Sequence, residues 1–451
     1  MAKDTKSVVG SQIVNIIEQL FPYDYSISGN AIYNSIPVYK SLLDFNAEFY
    51  PTGASINKWT IPPGWKCENA YIRSGSSEYN CMEISSLGCA YLSPSYSGTC
   101  NYQELLRHVA TRQDLPDAIV YDWTRLYRVA DRKKWGLSIP YTYLTSLSKK
   151  SSNIQVDIRT SCYDSTMPVL SFTVHGQSPT TFIYNAHNCH PFQANDDISG
   201  VAVLIRLFQE LAGRENTKYT YTLLIGPELF APMFWLADRK EHISNINGAI
   251  LLKSVGNFSA LNLQHSYSAE SIVDRIVSHA CNHSKEAVSF HPFRQYYGND
   301  ETVFEAPGYG IPSVTLTRYP FPEYHTHLDT PDLISKESLE STYNVLLDSI
   351  DVLETFQKPE SILPGLHCLS NPEYDLYLPA ASPGIDKKGN SENEKRWNLL
   401  MNCLPMDLHR QLNTFQIAEK YSLPHRDVVH YIQRWADSGL VSFSSNSMIF
   451  S

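Results

Sequence analysis

Residues 184–200 read Tyr184-Asn-Ala-His-Asn-Cys-His-Pro-Phe-Gln-Ala-Asn-Asp-Asp-Ile-Ser-Gly200, so His187, His190 and Asp196 fall within ten positions. A strand-like run from Val169 to Tyr184 leads in, and a helix-like run from Val201 to Leu211 leads out. Imidazoles and a carboxylate at the carboxyl end of a strand that opens into a helix lie where open α/β sheets hold ligands. Histidine nitrogen and carboxylate oxygen are zinc ligands, and a catalytic zinc keeps one position open. The stretch therefore predicts a zinc site with a free carboxylate close by to move protons.

Three other places, and a further pair within the stretch itself, can complete such a site. Glu228, in Ile225-Gly-Pro-Glu-Leu229, follows the apolar strand Tyr221–Gly226 and is the candidate general base and acid. Tyr324-His-Thr-His-Leu-Asp-Thr330 offers His325 as a ligand, with His327 a weaker candidate and Asp329 expected to orient the loop. Asp300 and Glu301, in the polar loop Gly298-Asn-Asp-Glu301, and Tyr324 are the candidates for substrate contact. Cys189 or His190 is expected either as a second ligand or as the group that orients His187. Asp197 and Ser199 are expected to cap the helix while Asp196 faces the metal. His279 and His283, four apart with no Glu between them, read as surface histidines. No phosphate-binding glycine loop or Gly-x-Ser-x-Gly elbow is present.

Outward from this stretch, strands are expected over 154–160, 168–175, 181–186, 220–226, 248–255 and 312–318. Helices are expected over 199–212, 230–242, 268–283 and 334–356. Alternation of this kind predicts a three-layer α/β/α sandwich with a mainly parallel sheet. Residues 8–20 carry helical spacing, and a second helix from Ala31 to Leu43 should be broken by Pro37. Residues 49–115, rich in Tyr, Ser, Cys, Pro and Gly, read as an inserted β-rich unit, leaving 1–48 and 116–358 as a discontinuous main domain. Prolines and charges mark 359–395 as a linker. Residues 396–451 read as helices followed by strands at 439–443 and 447–450, a winged-helix pattern.

The chain has 451 residues, 43% of them hydrophobic, enough for a large core. A net charge of −10 argues against binding nucleic acid through bulk charge. In the C-terminal unit His425, Arg426 and Arg434 are offset by Asp427 and Asp437, so a protein partner or self-association is expected there rather than DNA. Nine cysteines without a Cys-x-x-Cys pair predict free thiols and a cytoplasmic setting. No apolar h-region or membrane-length run is seen.

His187-x-Cys-His-Pro, Asn195-Asp-Asp-x-Ser-Gly200, Pro227-Glu228, Asn299-Asp-Glu and Tyr324-His-Thr-x-x-Asp-Thr330 together resemble the zinc aminopeptidase superfamily. That superfamily includes bacterial leucyl aminopeptidases, glutamate carboxypeptidase and glutaminyl cyclase. Ser28-Gly, Trp59-Thr-Ile-Pro-Pro-Gly-Trp65, Ala70-Tyr-Ile72 and Trp135-Gly136 point to a bacterial aminopeptidase-like branch with an inserted β-rich domain and a winged helix. The resemblance implies metal ligation by His187 and His325, and a metal-bridging role for Asp196. It also shows departures: Pro227 stands at the first position of a Glu-Glu pair, Cys189 where an Asp orients the first His, and Lys253 where full members have a metal-binding Asp. The expectation is one zinc, two being the alternative, held by His187, Asp196 and His325 with His190 as a further ligand. Glu228 would shuttle protons during hydrolysis of a peptide or small amide. A biosynthetic amide-processing or cyclising enzyme on the same site, and a non-catalytic regulator acting through the winged helix, are the competing expectations.

Overall fold

The computed structural model describes residues 8–147, 153–296, 298–378 and 392–444. An eight-stranded mixed sheet organises the chain. Its strands are β1 (Asn46–Pro51), β2 (Thr166–Val174), β3 (Thr181–His187), β4 (Thr220–Gly226), β5 (Ile246–Lys253), β6 (Leu261–Gln264), β7 (Ser289–His291) and β8 (Ser313–Arg318). They lie in the order β1-β2-β4-β3-β5-β8-β6-β7. The central strands β4, β3, β5 and β8 run parallel, while β1, β2 and β6 pair antiparallel at the flanks. β4 is buried along its whole length and β3 at every residue but its first, as strands covered on both faces require.

Alternate side chains of these strands enter two cores, because successive Cβ atoms point to opposite faces. Phe182 and Tyr184 pack with α1 (Val8–Leu20), α2 (Ser199–Ala212), α4 (Ile272–Asn282) and α5 (Lys336–Thr355). Ile183 and Leu224 pack on the other face with α3 (Phe230–Ala237). The result is the three-layer sandwich. Pro37 acts as anticipated: Asn30–Tyr33 and Ile36–Leu42 are separate short helices, with Pro37 in the first turn of the second.

The second unit is larger than its composition indicates. Its four-stranded antiparallel sheet joins Gly64–Ser74, Ser77–Asn80 and Tyr96–Cys100 to Ile154–Tyr163. Residues 154–160, expected in the main sheet, therefore belong to this one, and the unit runs past residue 115. A strand of alternating Ile154, Val156 and Ile158 suits either sheet, and only the partner decides. Conversely β1, whose second half falls in the stretch read as β-rich, is an edge of the main sheet.

Near the C-terminus, α6 (Glu392–His409), α7 (Thr414–Tyr421) and α8 (His425–Asp437) enclose a separate core around Leu404, Ile417, Val428 and Trp435. Asn413 and Gln416 form a capping box at the start of α7. Part of the expected linker is structured. Leu376 is buried in this core, and Pro359–Ser361 pairs antiparallel with Val441–Phe443. The expected strand at 447–450 lies outside the described residues, and the partner seen for 441–443 is 359–361, so the wing is not established. Among the described residues no helix is long and apolar enough to cross a membrane, and all nine cysteines are free.

Candidate metal centre

The site forms at the carboxyl ends of β3, β4 and β5. β3 ends in His187, β4 leads to Glu228, and β5 ends in Lys253. The loop after β8 brings His325. Asp196 is at the centre and fully buried. Its Oδ2 faces His190 Nε2 at 3.5 Å and His325 Nε2 at 3.4 Å. Its Oδ1 faces His187 Nε2 at 3.3 Å and Lys253 Nζ at 3.7 Å.

Neighbouring side chains hold Asp196 in this position. Asp329, fully buried, accepts from Asn195 N at 2.7 Å and Asp196 N at 2.9 Å. It thus orients the loop. Asp197 does not cap the helix: its carboxylate accepts from His187 N at 3.4 Å and Ser254 N at 3.0 Å, tying β3 to β5. Ser199 donates to Asn195 O and accepts from Val255 N. The peptide bond between Asp196 and Asp197 is cis.

Glu228 precedes Leu229, whose φ of 62° lies in the left-handed region that a branched side chain disfavours. Asp300 Oδ1 braces this turn by accepting from Leu229 N at 2.5 Å. Asp300 and Glu301, expected to meet substrate, are 0% and 3% exposed. Glu301 accepts from Asn299 N and pairs with Arg294. The short helix Glu301–Phe304 that follows Asp300 packs against α3 in the second core. Tyr324 stacks on His325 at 3.8 Å between ring centroids, and Lys253 Nζ lies 5.5 Å from its ring centroid. His327 Nδ1 accepts from Ile119 N and is thereby committed. Tyr121, which nothing in its local sequence marks, stacks on His190 at 4.5 Å and meets His325 edge-on at 5.6 Å.

The electrostatics follow from burial and from Lys253. Burial pushes the Asp196 carboxyl up, but the Lys253 ammonium and the surrounding histidines outweigh it and hold it well below the usual carboxylate range. Glu228 is likewise lowered, since Lys253 at 3.0 Å overrides desolvation. Asp197 and Asp300 are pushed well up by burial, and Glu301 to about 7. Burial lowers His325 to about 4, keeping it neutral, the form that ligates a metal.

A metal fits these residues. His190, Asp196 and His325 offer ligand atoms all within 4.8 Å of one another, and so do His187, Cys189 and Glu228. Neither oxygen of Asp196 nor His190 Nε2 has a well-formed hydrogen bond although all are buried. Of the four expected ligands, the structure gathers His190 and His325 on one oxygen of Asp196 and sets His187 on the other.

A family model described as a domain of unknown function (DUF4910) matches residues 14–356. The chain belongs to that family. A Clostridium acetobutylicum protein named for polysaccharide biosynthesis and an aminopeptidase-like domain is 27% identical over 359 residues, covering 77% of this chain and 79% of that protein. Among solved structures, a Clostridium acetobutylicum chain named as a peptidase aligns with a TM-score of 0.79 at 23% identity, covering 97% of both chains. The zinc aminopeptidase of Bacillus subtilis aligns with a TM-score of 0.55 at 14% identity, over 76% of this chain and 94% of that one. The fold is that of the zinc aminopeptidase-like superfamily.

Proposed function

We propose that the chain is a zinc-dependent hydrolase of an amide or peptide bond, with one zinc held by His190, Asp196 and His325. The observation that carries this reading is the division of Asp196: one oxygen faces the Nε2 atoms of His190 and His325, the other faces His187 Nε2 and a buried ammonium. His190 thus takes the ligand place that the sequence resemblance implies for His187. Lys253 stands where a second cation would otherwise balance Asp196 and Glu228, and like charge disfavours adding one. Zinc, when bound, supplies a Lewis acid against the scissile carbonyl.

The remaining steps belong to the chain itself. Glu228, kept ionised by Lys253, takes a proton from the attacking water and returns it to the leaving nitrogen. Asp300 holds the backbone turn that aims Glu228. Asp329 fixes the approach of Asp196. Tyr324, stacked on His325, forms one wall of the substrate position. A peptide substrate and a biosynthetic amide are both compatible with these parts. The name of the 27% identical relative, which refers to polysaccharide biosynthesis, favours the second.

The C-terminal helices are proposed to contact protein, either a partner or a second copy. The exposed face of α8 carries Arg426, Asp427, His430 and Asp437, a mixed set that lacks the basic stripe a DNA reader needs.

Metal analysis together with a panel of aminoacyl and N-acyl amides tests the reading. One zinc per chain is expected, with turnover that falls about 10²–10⁴-fold in Glu228→Gln while the zinc stays. Two tightly bound zincs, or turnover indifferent to Glu228→Gln, would sink it.

A further inference from the structure

The Tyr121 ring that stacks on His190 also borders, with Pro191, a cavity of about 160 Å³. The far wall comes from the β-rich unit. Trp65, at the start of that unit's long central strand, donates from Nε1 to Ser93 O at 3.0 Å, which fixes its ring. It meets Tyr91 edge-to-face at 5.7 Å. Aromatic rings thus line both sides of one cavity, and one of them touches the metal centre.

The same cavity carries polar groups of both signs. Asp24 and Lys66 reach it, with Ser26 beside Asp24. Asp24 Oδ1 accepts from Ser26 N at 3.1 Å and from Ser26 Oγ at 2.8 Å, so the carboxylate is held in place. Asp122, also at the cavity, is already tied to Arg125 at 2.6 Å and to Thr124 N at 3.0 Å.

These features narrow the occupant. A purely apolar side chain would strip water from the half-buried Asp24 without replacing its hydrogen bonds, while Lys66 stays exposed beside Glu68 at the rim. An ion of either sign would meet one like charge. A neutral ring with an apolar face and hydroxyls around its rim satisfies both kinds of wall. The aromatic faces cover its C–H surface, and the carboxylate, ammonium and hydroxyl take its O–H groups. The volume suits one such ring and not a longer chain.

We propose that this cavity is a pyranose subsite, and that the amide presented to the metal centre is carried on an amino sugar. The inference rests on the amide-hydrolase reading above for its second half. Tyr121 and Pro191 line the cavity, and Tyr121 also stacks on His190. A ring seated on Tyr121 is therefore one aromatic ring away from His190, and an exocyclic N-acyl group has to reach past that ring to meet the metal centre.

Calorimetry on the full-length Glu228→Gln chain tests this, with N-acetylglucosamine, its β-linked trimer and N-acetyl-leucine amide as probes. Saturable binding of N-acetylglucosamine is expected, weakened about 10-fold or more in Trp65→Ala and in Asp24→Asn and largely retained in Trp65→Phe. Binding of the trimer distinguishes a chain end from a free monosaccharide, and either supports the subsite. Unchanged melting curves separate lost contact from lost fold. No saturable sugar binding, or binding indifferent to Trp65→Ala and Asp24→Asn, would overturn the proposal. If the sugar binds to Glu228→Gln but the wild-type chain hydrolyses no amide, the hydrolase reading falls and the subsite stands. Turnover of peptide amides without sugar binding does the reverse.

Discussion

Three histidines come together at each of two places in this chain, and only one group is suited to a metal. Around Asp196, His187, His190 and His325 point ring nitrogens at a buried carboxylate. Where α4 meets the C-terminal helices, His279 and His283 sit with ring centroids 4.4 Å apart, and His279 accepts from His425 N at 3.1 Å. In this second group His425 Nε2 is bonded to Thr414 Oγ1 at 3.0 Å and His283 Nδ1 to His279 O at 2.8 Å. Among the described residues no carboxylate closes it into a ligand set. Proximity of imidazoles is therefore a weak signal. An uncommitted lone pair facing a fixed carboxylate is the informative one.

The contrast can be broken at several points. The largest effect is expected from Asp196→Asn, which removes the charge both imidazoles face. Zinc content should fall to background and amide turnover should vanish, while His283→Ala leaves zinc unchanged, as read by metal analysis of both proteins. Next comes pH. Burial lowers His279 to about 3 and His425 to about 4, from an ordinary 6.5, so the folded state holds both neutral. The unfolded chain binds their protons first as pH falls. Their contribution is complete above about pH 6.5 and is lost toward pH 4 and below. The loss should be seen as faster hydrogen exchange across α7 and α8 in acid. Asp329→Asn keeps one acceptor for two backbone N–H groups and should weaken zinc about 10–100-fold by competition with a chelator. The smallest effect is that of His283→Ala on stability, within about 0.5 kcal/mol by thermal melting.

Much of the fold was visible in the sequence because β3, β4 and β5 are continuously apolar and α2 and α5 keep helical spacing. Edge strands were not. β6 and β7 have four and three residues, too short for any period to register. Strand 154–163 was visible as a strand but not as a member of the smaller sheet.

The site shows the same limit. The positions of His187 and Glu228 at strand ends, and of His325 in a polar loop, could be read directly. Which imidazole shares an oxygen with His325 could not, because beyond His187 the chain turns through Phe192 at φ 54°, and no periodicity predicts where a side chain points there. Asp197 looked like a cap because acids at helix starts usually are, yet two backbone amides from β3 and β5 claim it. His279 read as a surface residue on a helix pattern that contained no trace of the C-terminal helices packed over it; it is 7% exposed.

The register of the main sheet's edge has a further meaning. Pro51, the last residue of β1, is the direct partner of Thr166, the first of β2. Everything from 52 to 165 is thus, topologically, the loop of one β-hairpin. A tight two-residue turn could bridge that gap without disturbing the sheet. The shortened chain would keep His187, His190, Asp196, Glu228, Lys253 and His325 but lose Trp65, Tyr91 and Tyr121. The stretch 52–165 is thus inserted at a single point of the sheet, yet its Ile61, Leu87 and Ile119 share the core with α3 and its Tyr121 touches His190 and His325, so insert and metal centre are built as one piece.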